Sequence, residues 1–479
     1  MRKCRCPVLS VFAACCLAAC AGTAPTPGER PPLTARQRDA ALKALLGADE
    51  FSEYVTITDT VEATAWLARF WTKHDPTPTT DKNEFREEHE RRVNHAIHLF
   101  GGPTKSGPPW DDRGEVYIRY GQPDERLIRQ NGTDDAETGS AAWPDAVADP
   151  VASPLNHRQA ATEVWTYYRW NQTFQFEDEH AFGFFRLVPV TDPEFKRQGA
   201  GEFSTTRVRA IDLQPAIYYH EYGKNLIDYA LDVVRFRGDH GNWRLDVNLG
   251  YPLFELGRDA DSVSVAIRRT LVVRNEDQRE IYGEEGRIHR LVGPADSTNR
   301  LMIEQKLIEL PPGAYTLAVT IDDLCTGKSG TYLKSFRLPK YVVPEVQEIS
   351  DVELASYVWS IYEPGSPFVK KDHMIVPLPS RIYLPKQPVA FYYEVYNLLL
   401  GPDGRTHYQI AYDITDERDK SHHHFSEPGE QSDPGRQASR VGTIDLAGIP
   451  SGEYILSIKV TDLVGHEEKT AVGQFKKSD

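Results

Sequence analysis

Between Trp110 and Glu125 the chain reads Trp-Asp-Asp-Arg-Gly-Glu-Val-Tyr-Ile-Arg-Tyr-Gly-Gln-Pro-Asp-Glu. Acidic, basic, aromatic and glycine residues are denser here than in the other strand-like runs of the chain. The residues singled out are Trp110, Asp111, Asp112, Arg113, Gly114, Tyr117, Tyr120, Gly121, Pro123, Asp124 and Glu125. Two carboxylates a few ångströms apart can split their pKa values and serve as acid and base in a hydrolysis, or gather around a cation. The competing reading is architectural. Asp111 or Asp112 closes a turn, Arg113 pairs with a neighbouring carboxylate, and Gly121-Gln122-Pro123-Asp124 makes the exit turn. The architectural reading is preferred, because sequence-adjacent acids on a turn usually face water.

The elements around this stretch follow from periodicity. Within it Val116, Ile118 and Tyr120 alternate with Glu115, Tyr117 and Arg119, which predicts the first strand of a sheet. Upstream, three helices are announced by capping-box spacings: Thr34 with Gln37, Asp59 with Glu62, and Asp81 with Glu84. The second carries Val61, Trp66, Leu67, Phe70 and Trp71 and is stopped by Asp75-Pro76-Thr77-Pro78. The third carries Phe85, His89, Val93, Ala96 and Phe100 on one stripe. Both are expected to face a core. Residues 131–162 are rich in Gly, Ala, Asp and Pro and read as a long surface insertion. Aromatic strands then follow at 163–170, 173–177 and 182–188.

Beyond residue 225 an internal repeat sets the organisation. Leu310 to Leu324 matches Ile449 to Leu463 without a gap at an offset of 139 residues, and the match extends to Phe336 and Phe475. A Pro/Gly turn leads into a strand, then an Asp turn and a last strand. Trp243 to Leu249 corresponds loosely to Val389 to Tyr396. The fold class expected is therefore an α+β N-terminal domain, three helices plus an antiparallel sheet, followed by two all-β immunoglobulin-like sandwiches. The domains expected are 34–224, with the insertion at 131–162, then 225–341 and 342–479.

Other residue types with chemical potential carry weaker patterns. His89, His95 and His98 share a helix without a His-Glu-x-x-His motif. His422, His423 and His424 read as a loop tip. There is no Gly-x-Ser-x-Gly elbow, no phosphate-cradling loop and no Cys/His signature. Cys325 stands where the other repeat has Val464, which favours a small, at least half-buried apolar role. No catalytic residue, metal site or cofactor is assigned.

The N-terminus supplies an address. Met1-Arg2-Lys3-Cys4-Arg5 is a basic start, and the apolar run from Val8 to Leu17 is too short for a mature membrane span. Leu17-Ala18-Ala19-Cys20 is similar to a lipobox, which implies lipidation at Cys20 and a leader over 1–19. Ala21 after it implies outer-membrane sorting. Residues 20–33, rich in Pro and Gly, form a tether. Four of the six cysteines fall in the leader, so no disulfide framework is expected. The formal net charge is -15, and the three cations of the leader bring the remainder nearer -18, which argues against nucleic acid as a partner.

Several of these runs together resemble the GWxTD-domain family of secreted or lipid-anchored bacterial proteins. They are Tyr54-Val55, Phe70 to Pro78, Asn83-Glu84, Arg91-Arg92-Val93, Asp112 to Glu125, Val164-Trp165 and Tyr392 to Leu398. The chain departs from the name motif: Pro109-Trp110-Asp111-Asp112-Arg113-Gly114 lacks the leading Gly and the Thr and is one residue shorter. The resemblance implies no catalytic residues.

The expected function is a non-enzymatic binding or scaffolding module, anchored to the outer membrane by lipid and facing the periplasm or cell surface. Its expected partners are envelope proteins or a polysaccharide, with Tyr392, Tyr393 and Trp170 as aromatics that could stack on sugars. The rival is a carboxylate-dependent hydrolase of an envelope polymer using Asp111, Asp112, Asp124 or Glu125. A third reading is a calcium-stabilised adhesion module.

Overall fold

The computed structural model describes residues 35–101, 108–130, 139–140, 161–168, 172–178, 182–190, 227–257, 264–291, 301–340, 346–360 and 365–479. The leader, Cys20, the tether, most of the 131–162 insertion and Trp170 lie outside the described residues. The chain divides into two compact units, Met1–Thr56 with His89–Tyr218, and Ile57–Glu88 with Tyr219–Asp479.

Among the described residues there are five helices: α1 (Ala35–Leu45), α2 (Ala48–Thr56), α3 (Thr60–Lys73), α4 (Glu84–Phe100) and α5 (Asp112–Tyr120). Asp59 caps α3 as its spacing implies, its carboxylate accepting from the Val61 N–H at 2.8 Å. α4 is capped instead by Asn83, whose Oδ1 accepts from Arg86 N at 2.9 Å. α3 buries only Phe70, and Val61 is 77% exposed, so this helix is less core-facing than its apolar spacing suggests. α2 begins after a single break at Gly47 and carries no capping box, which is why its start is silent in the sequence.

The expected first strand is a helix. Asp111 caps α5 and Gly121, at φ +82°, ends it. Seven of its nine residues are buried, Arg113, Gly114, Val116, Tyr117, Ile118, Arg119 and Tyr120. A helix buried almost all round shows no polar face, so its 3.6 period is invisible and an accidental alternation takes its place.

The sheet of the first unit is an antiparallel meander in the order β2-β1-β3-β4-β5, with β1 (Glu125–Gln130), β2 (Gly139–Ser140), β3 (Ala161–Tyr167), β4 (Gln172–Asp178) and β5 (Arg186–Val188). Trp165 lies opposite Phe174 and Glu163 opposite Phe176. Trp165, Tyr167, Phe174 and Phe176 thus share one face and form a core with Val93, Ala96 and Phe100 of α4 and Val116, Tyr117, Ile118 and Tyr120 of α5.

In the second unit the first pair of sheets comprises β6 (Ala230–Arg237), β7 (Trp243–Pro252), β8 (Ser264–Asn275), β9 (Glu280–Leu291), β10 (Leu301–Leu310), β11 (Gly313–Asp323) and β12 (Ser329–Leu338). Their orders are β10-β7-β6 and β12-β11-β8-β9. Leu245, Val247 and Leu249 of β7 meet Ile267, Leu271, Leu317 and Val319 from the facing sheet in one core. Arg274 of β8 donates to the Pro78 carbonyl at 3.1 Å, which docks the Asp75–Pro78 stop of α3 on this sandwich.

The second pair comprises β13 (Glu348–Ile349), β14 (Glu353–Trp359), β15 (Val369–Lys370), β16 (His373–Pro377), β17 (Ile382–Tyr383), β18 (Val389–Tyr396), β19 (Thr406–Asp416), β20 (His422–Phe425), β21 (Gly429–Asp433), β22 (Ala438–Ile444), β23 (Gly452–Asp462) and β24 (Glu468–Lys477). One sheet runs β13-β18-β14-β16-β15 with β22 also on β18; the other runs β17-β24-β23-β19-β20 with β21 also on β19. The three histidines expected at a loop tip lie on β20, where His422 Nδ1 meets the Asp413 carboxylate at 2.8 Å.

The repeat holds down to single hydrogen bonds. The Tyr315 hydroxyl donates to the Pro311 carbonyl at 2.8 Å, and that of Tyr454 donates to Pro450 at 2.8 Å. Asp323 Oδ1 accepts from Cys325 N at 2.9 Å, and Asp462 Oδ1 from Val464 N at 2.8 Å. The sandwiches also match strand for strand: β7 lies between β10 and β6 as β18 lies between β22 and β14, and β11 between β8 and β12 as β23 between β19 and β24. Cys325 itself is exposed, a correction to its expected burial: it sits in the Asp turn beyond the end of β11.

Candidate functional site

The first candidate is the Trp110–Glu125 stretch. Trp110 is buried over Gly114, where an added Cβ would stand 2.5 Å from the Trp110 Cβ, so only glycine fits beneath the indole. Asp111 takes the Arg113 backbone N–H at 3.0 Å, the Phe185 N–H at 3.0 Å and the Arg113 Nη2 at 2.7 Å. The Arg113 guanidinium then reaches Glu163 on β3 through Nη1 at 2.9 Å and lies over the Phe185 ring, 3.7 Å from its centroid. Glu163 also accepts from Trp165 Nε1 at 2.7 Å and from Arg126.

This buried chain of charges spans helix cap, helix and two strands, β1 and β3. Burial pushes the Glu163 carboxyl up, but Arg113 and Arg126 outweigh it and hold the group below the usual carboxylate range. Burial likewise works against the Arg113 cation, and Asp111 and Glu163 overcome it, leaving the guanidinium more firmly charged than usual.

The remaining residues of the motif also have internal duties. Asp112 accepts from Leu187 N at 2.8 Å, tying the start of α5 to β5. Asp124 accepts from Tyr168 N at 2.8 Å and Glu125 from the Tyr168 hydroxyl at 2.5 Å. Tyr117 packs on His95 and Phe100, and Tyr120 on Tyr167 and Phe174. Gly121 passes so close to Arg92 that a Cβ would lie 2.9 Å from Nη2, and the same guanidinium donates to the Ile118 and Arg119 carbonyls at the end of α5. Pro123 is buried in the exit turn. Among the described residues the four carboxylates fall in different surroundings. Asp111 is paired with Arg113 inside the fold, and the other three hold backbone or tyrosine donors at its rim.

Of the histidines on α4, His89 and His95 are buried and His98 is exposed. Burial, aided by Arg92, pushes His89 down to about 3, so it is a neutral core residue near pH 7. Tyr392 and Tyr393 are fully buried and cannot stack on a sugar, a correction that follows from β18 being covered on both faces.

A second polar cluster, absent from the sequence reading, lies between the two sandwiches of the second unit. Val234 and Phe236 of β6 pack against Ala355, Ile375, Ala390 and Tyr392. Beside this apolar patch Asp246, Asn248 and Gln305 meet Glu353, Lys370 and Glu394, all nine-tenths buried or more. Arg244 bridges Asp246 at 3.1 Å and Glu394 at 3.3 Å. A cleft of about 410 Å³ opens above them, lined in part by Arg237, Arg244, Lys370, Lys371, Glu394 and Gln437. In β7 the polar residues Asp246 and Asn248 alternate with Leu245, Val247 and Leu249, the pattern of a solvated face.

Comparison with models of known protein families and with curated proteins found no match to this chain.

Proposed function

We propose that this chain is a GWxTD-type lipoprotein, anchored at Cys20 to the outer membrane, whose body is a non-enzymatic binding or scaffolding module for envelope proteins or a polysaccharide. The observation that supports this reading is that Asp111, Asp112, Arg113, Asp124 and Glu125 all hold partners within their own chain. Asp111, Arg113 and Glu163 are consumed as a buried frame that joins α5 to the sheet. Asp112, Asp124 and Glu125 hold donors that fix the frame's rim. A hydrolytic pair needs two carboxylates facing one open space; Asp111 is buried against Arg113, while Asp112, Asp124 and Glu125 hold donors of their own chain at the surface.

The tandem sandwiches are immunoglobulin-like in this reading. Supporting it are the three-plus-four strand order of the first copy and the tyrosine at the start of β11 and β23 that bonds back to the preceding corner. Among the described residues no helix is long and apolar enough to cross a membrane. The test is affinity capture from envelope extracts of cells carrying wild type or Cys20→Ser. Wild type should sediment with the outer membrane and recover reproducible partners or glycan, and Cys20→Ser should be released from the membrane. Wild type that captures nothing reproducible, or Cys20→Ser that still takes up palmitate, would overturn the proposal.

A further inference from the structure

At the centre of the seam between the sandwiches one lysine is held between two carboxylates. The Lys370 ammonium contacts Asp246 Oδ2 at 2.5 Å and Glu353 Oε2 more closely still. Asp246 and Glu353 are fully buried and Lys370 is 8% exposed. Aromatic rings wall the site, Phe236 at 4.6 Å and Tyr392 at 5.3 Å from Nζ. The other oxygen of Glu353, Oε1, accepts from Asn248 Nδ2 and from Gln305 Nε2, each at 3.1 Å.

Three buried carboxylates, Asp246, Glu353 and Glu394, share the Lys370 ammonium and the Arg244 guanidinium, one more negative than positive charge at the floor of the cleft, which is costly. Burial, opposed only in part by Lys370 and reinforced by Asp246, pushes the Glu353 carboxyl up. A protonated carboxyl whose carbonyl oxygen receives two amide N–H groups is polarised as an acyl electrophile, with its oxyanion site already built. An amine in contact with it, beside a carboxylate able to take its proton, is a nucleophile in place.

We propose that Lys370 and Glu353 condense into an amide, Nζ to Cδ, with Asp246 as the base and Asn248 and Gln305 as the oxyanion donors. The Lys370 ammonium gives one proton to Asp246. The freed amine adds its electron pair to Cδ of the protonated Glu353, and the negative charge gathers on Oε1. A second nitrogen proton passes to the Oε2 hydroxyl, the Cδ–Oε2 bond breaks, and water leaves. Asp246 then returns its proton to solvent. Nothing is oxidised or reduced, and the released water leaves through the cleft that Asp246 and Lys370 line. The bond would tie β14 to β15 and hold Lys370 permanently against Asp246 of the first sandwich.

Peptide mapping of the full purified chain tests this. Trypsin cannot cut after an acylated Lys370, so residues 341–371 should appear as one peptide lighter than its sequence by one water. A further chymotryptic cut after Tyr357 or Trp359 should leave its two pieces joined. Lys370→Arg should restore the unmodified mass, and Asp246→Asn should lower the cross-linked fraction at least tenfold. Wild type cut after Lys370 with full mass, or Lys370 joined instead to the 245–258 peptide that carries Asp246, overturns the proposal. Complete cross-linking in Asp246→Asn overturns the role given to the base.

Discussion

The frame under α5 and the seam between the sandwiches are both buried charge clusters, and they differ in the cation at their centre. In the frame it is Arg113, whose planar fork divides between Asp111 and Glu163. In the seam it is Lys370, a point charge between Asp246 and Glu353. A guanidinium stays charged in proteins and offers several donors in fixed directions, so it locks its partners in an ion pair. An amine seated against a carboxyl is instead placed for the condensation proposed above. Buried charge alone therefore does not mark a reactive site; the identity of the cation decides.

The comparison breaks most visibly at Arg113. Arg113→Ala leaves buried Asp111 without its cation and Glu163 with Arg126 alone, and should destabilise the first unit by about 3–5 kcal/mol, read as a lower urea midpoint by tryptophan emission. Arg113→Lys should recover only part of that loss, because one ammonium cannot reproduce the fork. A loss below about 1 kcal/mol for Arg113→Ala would remove the frame from the account.

Gly114→Ala presses a methyl group into Trp110 and should cost about 1–3 kcal/mol, with a change in indole emission. In the repeat, Tyr315→Phe and Tyr454→Phe each delete one hydroxyl-to-carbonyl bond and should cost about 0.5–1.5 kcal/mol by equilibrium denaturation. Similar losses in the two copies would extend the sequence repeat to its energetics.

The frame also sets an acid limit. Glu163 is held below its unfolded value of about 4.3, so its contribution is fully present above that pH and is lost as pH falls through the lower folded value. Unfolding followed between pH 6 and 2 should show stability falling on the acid side. Glu163→Gln, less stable at neutral pH, should fall less steeply.

Much of the architecture was legible because it rests on local signals. The Pro/Gly turn, the corner tyrosine and the Asp turn recur at one spacing, since each is a set of hydrogen bonds made within a few residues. α5 was misread because burial on all sides erases the helical period. Its ends carried the information, with Asp111 as cap, Asp112 and Glu115 in the first turn and Gly121 at the stop. Arg113 was correctly paired with a neighbouring acid, Asp111. Its longer-range partner Glu163 lies 50 residues on, beyond any local pattern. The seam was illegible for a related reason: Asp246 and Lys370 are 124 residues apart and each sits in a strand that, taken alone, promises a wet face.

The central claim is that the charge-dense motif supports folding and takes no part in chemistry on a partner. The direct measurement uses Asp112→Asn, Asp124→Asn and Glu125→Gln together, which remove the rim's negative charges while keeping an acceptor oxygen at each position. The account predicts stability within about 1 kcal/mol of wild type and unchanged capture of envelope partners. Loss of capture, or of any activity on an envelope polymer, in a variant that remains fully folded would contradict it.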